Sequence, residues 1–161
     1  FQQMFMMKNL TILDNILLPS IENKEDKTDK KQKLARAEKI MRKLGIIDCA
    51  DKDINEVSGG QLQRACIARS MINNPDILFA DEPTGALNRQ SSTEVMDELC
   101  KLNKNGTTII MVTHDFKVAA RCGRVLYIID GQIAGEYVSN NSNDIKEREK
   151  DLNTWLMNMG W

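Results

Sequence analysis

The chain has 161 residues, of which 42% are hydrophobic and 28% charged, and its formal net charge is −1. This length fits one domain, or one domain with a small subdomain, and the hydrophobic fraction is that of an ordinary globular core. A nearly neutral chain is not expected to bind nucleic acid through a basic surface. The sequence contains no signal segment and no run of about 18 apolar residues that would predict a membrane span.

The cysteines are widely and irregularly spaced, without a C-x-x-C pair: Cys49, Cys66, Cys100 and Cys122. This pattern favours reduced, mostly buried thiols in a cytosolic protein. A structural zinc site is the alternative, with His114 as an added ligand, but the spacing does not indicate one.

Two helices are predicted before residue 50. The first covers residues 9–18, with Thr11 as its cap and Pro19 as its end. The second covers residues 28–44, where apolar side chains recur at helical spacing. Gly45 follows it at the position of a left-handed C-terminal cap.

A third helix is predicted over residues 58–73, where Ser58 and Gln61 have the S-x-x-Q spacing of a capping box. Beyond it the pattern alternates between short apolar runs and helical periodicity, which indicates a parallel α/β sheet. The first of these runs is expected to be a buried strand. The predicted segments are strand 77–80, helix 90–104, strand 107–113, helix 115–122, strand 125–129, a hairpin turn at Asp130-Gly131, strand 133–138 and helix 144–159.

The run Val57-Ser58-Gly59-Gly60-Gln61 opens the third helix with a hydroxyl group and two glycines. The N–H groups of a helix N-terminus attract anions, and glycines let a phosphate approach the backbone closely. Taken alone, however, this run is more typical of a plain helix cap.

Polar residues follow two of the predicted strands. Asp81 and Glu82 come after the first, and His114 comes after the next. Because ligands of open α/β sheets bind at the carboxyl ends of parallel strands, we expect all three at one edge. Asp81 suits a Mg²⁺ shell and Glu82 suits a base that activates water, although either motif alone is more typical of ordinary surface structure.

The order of these motifs resembles that of the ATP-binding-cassette (ABC) nucleotide-binding domain. The chain reads aromatic-Gln, V-S-G-G-Q, strand-D-E-P-T-G-A-L and strand-T-H-D, and the resemblance covers nearly its whole length. It implies an α/β fold of the ABC-type P-loop NTPases. We expect three parts: residues 1–75 with a helical subdomain, 76–139 with the sheet core, and 140–161 with a C-terminal helix.

The resemblance assigns catalytic roles to four residues. Gln2 matches the Q-loop glutamine, which senses Mg²⁺ and the attacking water and couples to the membrane subunit. Asp81 matches the Walker B aspartate and Glu82 the catalytic base. His114 matches the switch histidine, which contacts the γ-phosphate of ATP.

Two further motifs are assigned to the nucleotide and to the dimer interface. The signature motif, which grips the γ-phosphate held by the opposite subunit, matches Ser58, Gly59, Gly60 and Gln61. The D-loop matches Gly85, Ala86, Leu87 and Asn88. The family usually has aspartate where Asn88 stands, which puts the communication role of this loop in doubt.

No G-x-x-x-x-G-K-[ST] phosphate loop occurs in these residues. In the family this loop and an adenine-stacking aromatic residue precede the Q-loop, and the chain starts at Phe1 rather than methionine. We therefore expect a C-terminal fragment that, by itself, does not hold ATP tightly.

The sequence D-E-P-T-G-A-L and the run after Gln2 resemble those of one branch of the ABC family. That branch serves lipoprotein release, macrolide export and antimicrobial-peptide resistance. The resemblance implies ATP and Mg²⁺ as cofactors, a second nucleotide-binding domain and a membrane permease as partners, and a cytoplasmic position on the inner membrane face. The apolar residues that follow Gln2 are expected either to line the permease groove or to belong to the core of the helical subdomain: Met4, Phe5, Met6 and Met7. Two alternatives are a soluble ABC ATPase acting on ribosomes or DNA, and a truncated non-hydrolytic interaction module.

Overall fold

The computed structural model describes residues 6–139 and 144–161. It divides into two compact units, Phe1–Val112 and Thr113–Trp161. The first contains the helices α1 (Ile12–Glu22), α2 (Lys30–Lys43), α3 (Gly59–Met71) and α4 (Arg89–Lys104), the strands β1 (Ile77–Asp81) and β2 (Thr108–Val112), and two single 3₁₀ turns (Ile47–Cys49 and Ile54–Glu56). The second contains the helices α5 (Phe116–Ala119) and α6 (Ile145–Asn158) and the strands β3 (Arg124–Ile129) and β4 (Gln132–Val138).

Helix α1 begins as predicted, since the Thr11 side chain accepts a hydrogen bond from the N–H of Asp14 at 3.1 Å. The prediction that Pro19 ends the helix is wrong, because α1 continues to Glu22 with Pro19 inside it. A proline removes one N–H from the helical ladder. The helix nevertheless continues, because Ile12 and Ile16 are fully buried where α1 packs against α2 and α3.

The predicted C-terminal cap of α2 is confirmed, whereas the helix begins at Lys30 and not at the predicted residue 28. Asp29 and Gln32 form a capping box at its start, and Gly45 after its end has a φ of 64°. A positive φ suits glycine, which has no Cβ to clash. The face with Ala37 and Met41 is buried, so the apolar spacing read from the sequence is the packed face of the helix.

Strands β1 and β2 run parallel and are joined by α4, which forms the predicted βαβ arrangement. The prediction that the first strand is buried is wrong for most of its length. Leu78 is buried, but Phe79 on the opposite face is 75% exposed. Among the described residues the sheet has only these two strands, and the face that carries Phe79 is exposed.

The third predicted strand, β3, does not extend this parallel pair in the described part of the chain. It pairs antiparallel with β4 across the predicted turn at Asp130 and Gly131, which both have positive φ. Such a turn matches the twist of a two-stranded hairpin. The helical pattern of the tail is confirmed, because Leu152 and Leu156 of α6 are buried in the core of the second unit.

Candidate nucleotide site

The predicted pair of carboxylates lies where the parallel strands end. Asp81 is the last residue of β1 and stands in register with Val112, the last residue of β2. The N–H of Glu82 donates to the carbonyl of Val112 at 2.9 Å. Both strands therefore end at one edge, and Glu82 is fixed to the end of the neighbouring strand.

Glu82 has an unusual backbone conformation, with a φ of 44°. Its carbonyl accepts a hydrogen bond from the N–H of Gly85 at 3.1 Å, and the carbonyl of Thr84 accepts one from Leu87 at 3.0 Å. Thr84 is buried within this turn. Non-glycine residues in this region of φ are uncommon and often mark functional sites, because the surrounding structure must hold them there.

The predicted signature motif forms the N-terminus of α3. The Ser58 hydroxyl accepts from the N–H of Gln61 at 3.3 Å, and the Gln61 side chain accepts from the N–H of Ser58 at 2.8 Å. This confirms the capping box expected from the sequence. The motif is therefore built as a helix N-terminus, which is the form of an anion-binding site.

The signature motif packs against the predicted D-loop and the start of α4. A Cβ built on Gly59 would lie 3.4 Å from Cδ2 of Leu87, and one built on Gly60 would lie 2.8 Å from Oγ of Ser91. The structure thus brings together two motifs that are about 25 residues apart, and it leaves no room for a side chain at Gly60.

Two charged residues outside the predicted motifs join the same helices. Arg64 of α3 and Glu94 of α4 form a salt bridge with a 2.6 Å separation between the guanidinium and the carboxylate. The sequence carried no signal for this pair, because an ion pair between distant segments has no periodic pattern.

The side chain of Asn88 has a structural role that its departure from the family pattern did not suggest. Its Oδ1 accepts from the N–H of Ser91 at 2.9 Å and caps α4. Asparagine and aspartate are equally good N-caps, so this substitution preserves the start of the helix. Its effect on communication between subunits stays a prediction.

His114 is exposed and belongs to the second unit, where Asp115 caps the short helix α5. The predicted proximity of His114 to the two carboxylates stays a prediction. Gln2 lies outside the described residues, and so its predicted role is a prediction as well.

Met6 and Met7 differ in environment, while Met4 and Phe5 lie outside the described residues. Met6 is 8% exposed, and its sulfur accepts a hydrogen bond from the Arg69 guanidinium at 3.6 Å, whereas Met7 is 54% exposed. Met6 therefore belongs to the core of the first unit, and of this pair only Met7 has an exposed side chain.

The donor set at the strand edge fits Mg²⁺ bound together with nucleotide. No group of three His, Cys, Asp or Glu side chains in the described segments is arranged to hold a metal alone. Mg²⁺ is usually bound by one or two carboxylates, with phosphate and water oxygens completing its shell. Asp81 at the end of β1 provides a carboxylate of this kind.

The prediction of mostly buried cysteines is wrong for three of the four. Cys49 is buried, while Cys66, Cys100 and Cys122 are partly accessible, and none of the four forms a disulfide. Burial raises the pKa of the Cys66 thiol, an effect that nearby Arg69 opposes.

Residues 1–85 match the model of the family described as ABC transporter. The bacitracin export ATP-binding protein BceA of Halalkalibacterium halodurans is 45% identical over 134 residues, which are 83% of this chain and 52% of BceA. The macrolide export ATP-binding/permease protein MacB of Neisseria meningitidis serogroup A is 41% identical over 140 residues, 87% of this chain and 21% of MacB. A solved dimeric ATP-binding cassette in a post-hydrolysis state, bound to ADP and Pi, has a TM-score of 0.75 and 36% identity, covering 86% of this chain and 60% of that chain.

The fold and the order of the motifs are those of the α/β fold of ATP-binding cassettes. This chain belongs to the ABC transporter family. It spans about half the length of BceA and a fifth of the length of MacB. None of the helices in residues 6–139 and 144–161 combines the length and the apolar character needed to cross a membrane.

Proposed function

We propose that the complete protein carrying this chain is the ATP-hydrolysing subunit of a bacterial ABC transporter. It drives export or peptide resistance through a membrane permease and acts at the inner face of the cell membrane. The observation that carries this proposal is the arrangement in the first unit. Asp81 and Glu82 lie at the carboxyl edge of a parallel strand pair, and the signature helix packs beside the D-loop.

In the proposed mechanism two cassettes enclose two ATP molecules. One subunit contributes Gln2, Asp81, Glu82 and His114 to each site, while Ser58 of the partner subunit and Gly60 of the partner subunit approach the γ-phosphate. Glu82 orients the attacking water and accepts its proton. Fixed charges and dipoles around the γ-phosphate supply most of the transition-state stabilisation. Hydrolysis then separates the cassettes and moves the permease.

Mg²⁺ bound through Asp81 would neutralise the charge that develops on the transferred phosphoryl group. We also propose the division into residues 1–75, 76–139 and 140–161, in which residues 1–75 contain the helical subdomain and the signature motif. ATP hydrolysis by the complete protein, stimulated by its permease, tests the function. A complete protein that binds its permease but has no ATPase activity would contradict it.

The chain of 161 residues alone is expected to bind ATP weakly, because it contains no glycine-rich loop with a lysine for the phosphates. Calorimetric titration with a non-hydrolysable ATP analogue and Mg²⁺ should reveal no saturation below about 1 mM. A dissociation constant in the micromolar range would contradict this expectation and show that the described residues form a sufficient phosphate site.

Met7 is expected to contribute to permease binding, because its side chain is exposed in the segment that follows Gln2. Met7→Gln should weaken the complex measured by co-purification, while changing the stability of the protein by less than about 0.5 kcal/mol. The matched variant Met6→Gln places the same amide in the core and should destabilise the fold by roughly 1–3 kcal/mol. Unchanged permease binding in Met7→Gln would exclude this docking role.

A further inference from the structure

Asn15 is a fully buried polar residue in α1, with 0% exposure. Its Oδ1 accepts from the N–H of Met7 at 2.7 Å. Its amide nitrogen donates to the carbonyls of Met7, Leu10 and Thr11 at 3.1, 3.2 and 3.0 Å. One side chain therefore satisfies backbone groups along the whole segment that enters α1.

This hydrogen bonding requires an amide. The oxygen must accept from one N–H while the nitrogen distributes two hydrogens among three carbonyls, and only asparagine or glutamine has both groups. Aspartate would place a second oxygen against those carbonyls. Leucine would remove all four side-chain bonds: the carbonyls of Met7 and Thr11 would keep their bonds from the backbone N–H groups of Leu10 and residue 15, while the N–H of Met7 and the carbonyl of Leu10 would lose the bonds that Asn15 makes to them. The need for asparagine at position 15 is therefore explained by hydrogen bonding to the backbone of the preceding segment, and not by the apolar packing of its own helix.

The segment held by Asn15 is a turn, closed by a hydrogen bond from the N–H of Leu10 to the carbonyl of Met7 at 3.3 Å. Met7, Lys8 and Asn9 are exposed along it. The start of α1 is fixed independently, since the N–H of Ile12 donates to the carbonyl of Lys52 at 2.9 Å. The exposed turn therefore projects from an anchored base, and Asn15 determines its shape.

We propose that Asn15 is a positioning residue that holds the exposed turn of residues 7–10 in the shape that the permease recognises. This inference rests on the proposed function, because it assigns the turn to the permease-docking surface. The side-chain hydrogen bonds described for Asn15 all go to residues 7–11, and none of them reaches the carboxylate edge or the signature helix. Its loss is therefore predicted to affect the response to the permease and not the basal chemistry.

The test compares Asn15→Ala with the wild type in the complete protein, reconstituted with its permease. We expect the permease dissociation constant to rise about tenfold, because the turn loses its preorganised shape. Basal kcat and the KM for ATP, measured without permease, should stay within about twofold of the wild type. Ser20→Ala is the matched control: Ser20 is equally buried in α1, and its hydroxyl donates to Leu17 at 2.7 Å, away from the turn.

Equal permease affinities in Asn15→Ala and the wild type would overturn the proposal, as would a parallel loss of basal turnover or an equal loss of affinity in Ser20→Ala. If Asn15→Ala does not fold, Asn15→Ser keeps one donor and one acceptor on a shorter side chain, and the same criteria apply. A wild type that binds its permease without hydrolysing ATP would contradict the proposed function while the affinity comparison still decides the role of Asn15. If the wild-type protein does not bind the permease, the turn is not a docking surface and this inference is wrong.

Discussion

Replacing Glu82 by glutamine in the complete protein is expected to reduce ATP turnover by about 10²-fold or more, because the variant cannot accept the proton of the attacking water. Glutamine has nearly the same shape as glutamate. The hydrogen bonds of residue 82 to Val112 and Gly85 involve only its backbone, so the turn should persist. ATP binding should remain, and the variant should accumulate as an ATP-bound dimer. Steady-state phosphate release and size-exclusion chromatography with ATP measure the two effects.

Glu25→Gln is a suitable control, because it makes the same chemical change at an exposed position outside the motifs. It should turn over ATP at the wild-type rate. Normal turnover in Glu82→Gln would refute the assignment of the base, and loss of ATP binding would indicate that the substitution acts on nucleotide affinity rather than on the chemical step.

Gly60→Ala is expected to destabilise the protein by about 1–3 kcal/mol, because its Cβ would overlap Ser91. The built Cβ lies 2.8 Å from Oγ and 2.9 Å from Cβ of that residue. Either the first turn of α3 or the start of α4 must shift, so ATP turnover should also fall by about tenfold or more, since catalysis depends on accurate positioning. Denaturant unfolding and ATPase assays on the complete protein measure both quantities.

Three further variants distinguish steric overlap from other effects of alanine. The Cβ added in Gly59→Ala would contact only Cδ2 of Leu87, at 3.4 Å. This variant should therefore lose little stability. The double variant Gly60→Ala/Ser91→Gly lacks both overlapping atoms of residue 91 and should recover much of the lost stability. The double variant Gly60→Ala/Ser91→Ala lacks only the hydroxyl and should not recover it. A Gly60→Ala variant as stable as Gly59→Ala would disprove the steric argument.

Local features of this fold were predictable from the sequence, because they depend on neighbouring residues. The capping box of Ser58 and Gln61, the left-handed Gly45 and the hairpin at Asp130 each follow from the chemistry of a few adjacent positions. The edge position of Asp81 followed from its place after an apolar run. These features brought the carboxylate pair and the signature motif to the expected ends of their elements.

Features that depend on distant residues were not predictable in this way. Pro19 stays inside α1 because tertiary packing outweighs one missing hydrogen bond, and local propensity cannot report such packing. The exposure of Phe79 depends on which elements cover the sheet. The hydrogen bonds of Asn15 to the preceding segment were not predictable, since a single polar residue in an apolar pattern does not indicate its partners. An asparagine at a position that apolar periodicity places inside the core was the one available signal.

The left-handed backbone of Glu82 has a consequence for how this position tolerates change. A residue with a side chain in this region of φ raises the energy of the native state by an amount on the order of 1 kcal/mol, which glycine would largely avoid. Glycine at position 82 would relax the turn and remove the carboxylate at the same time. Under the proposed catalytic role of Glu82, stability and turnover therefore favour different residues at this position.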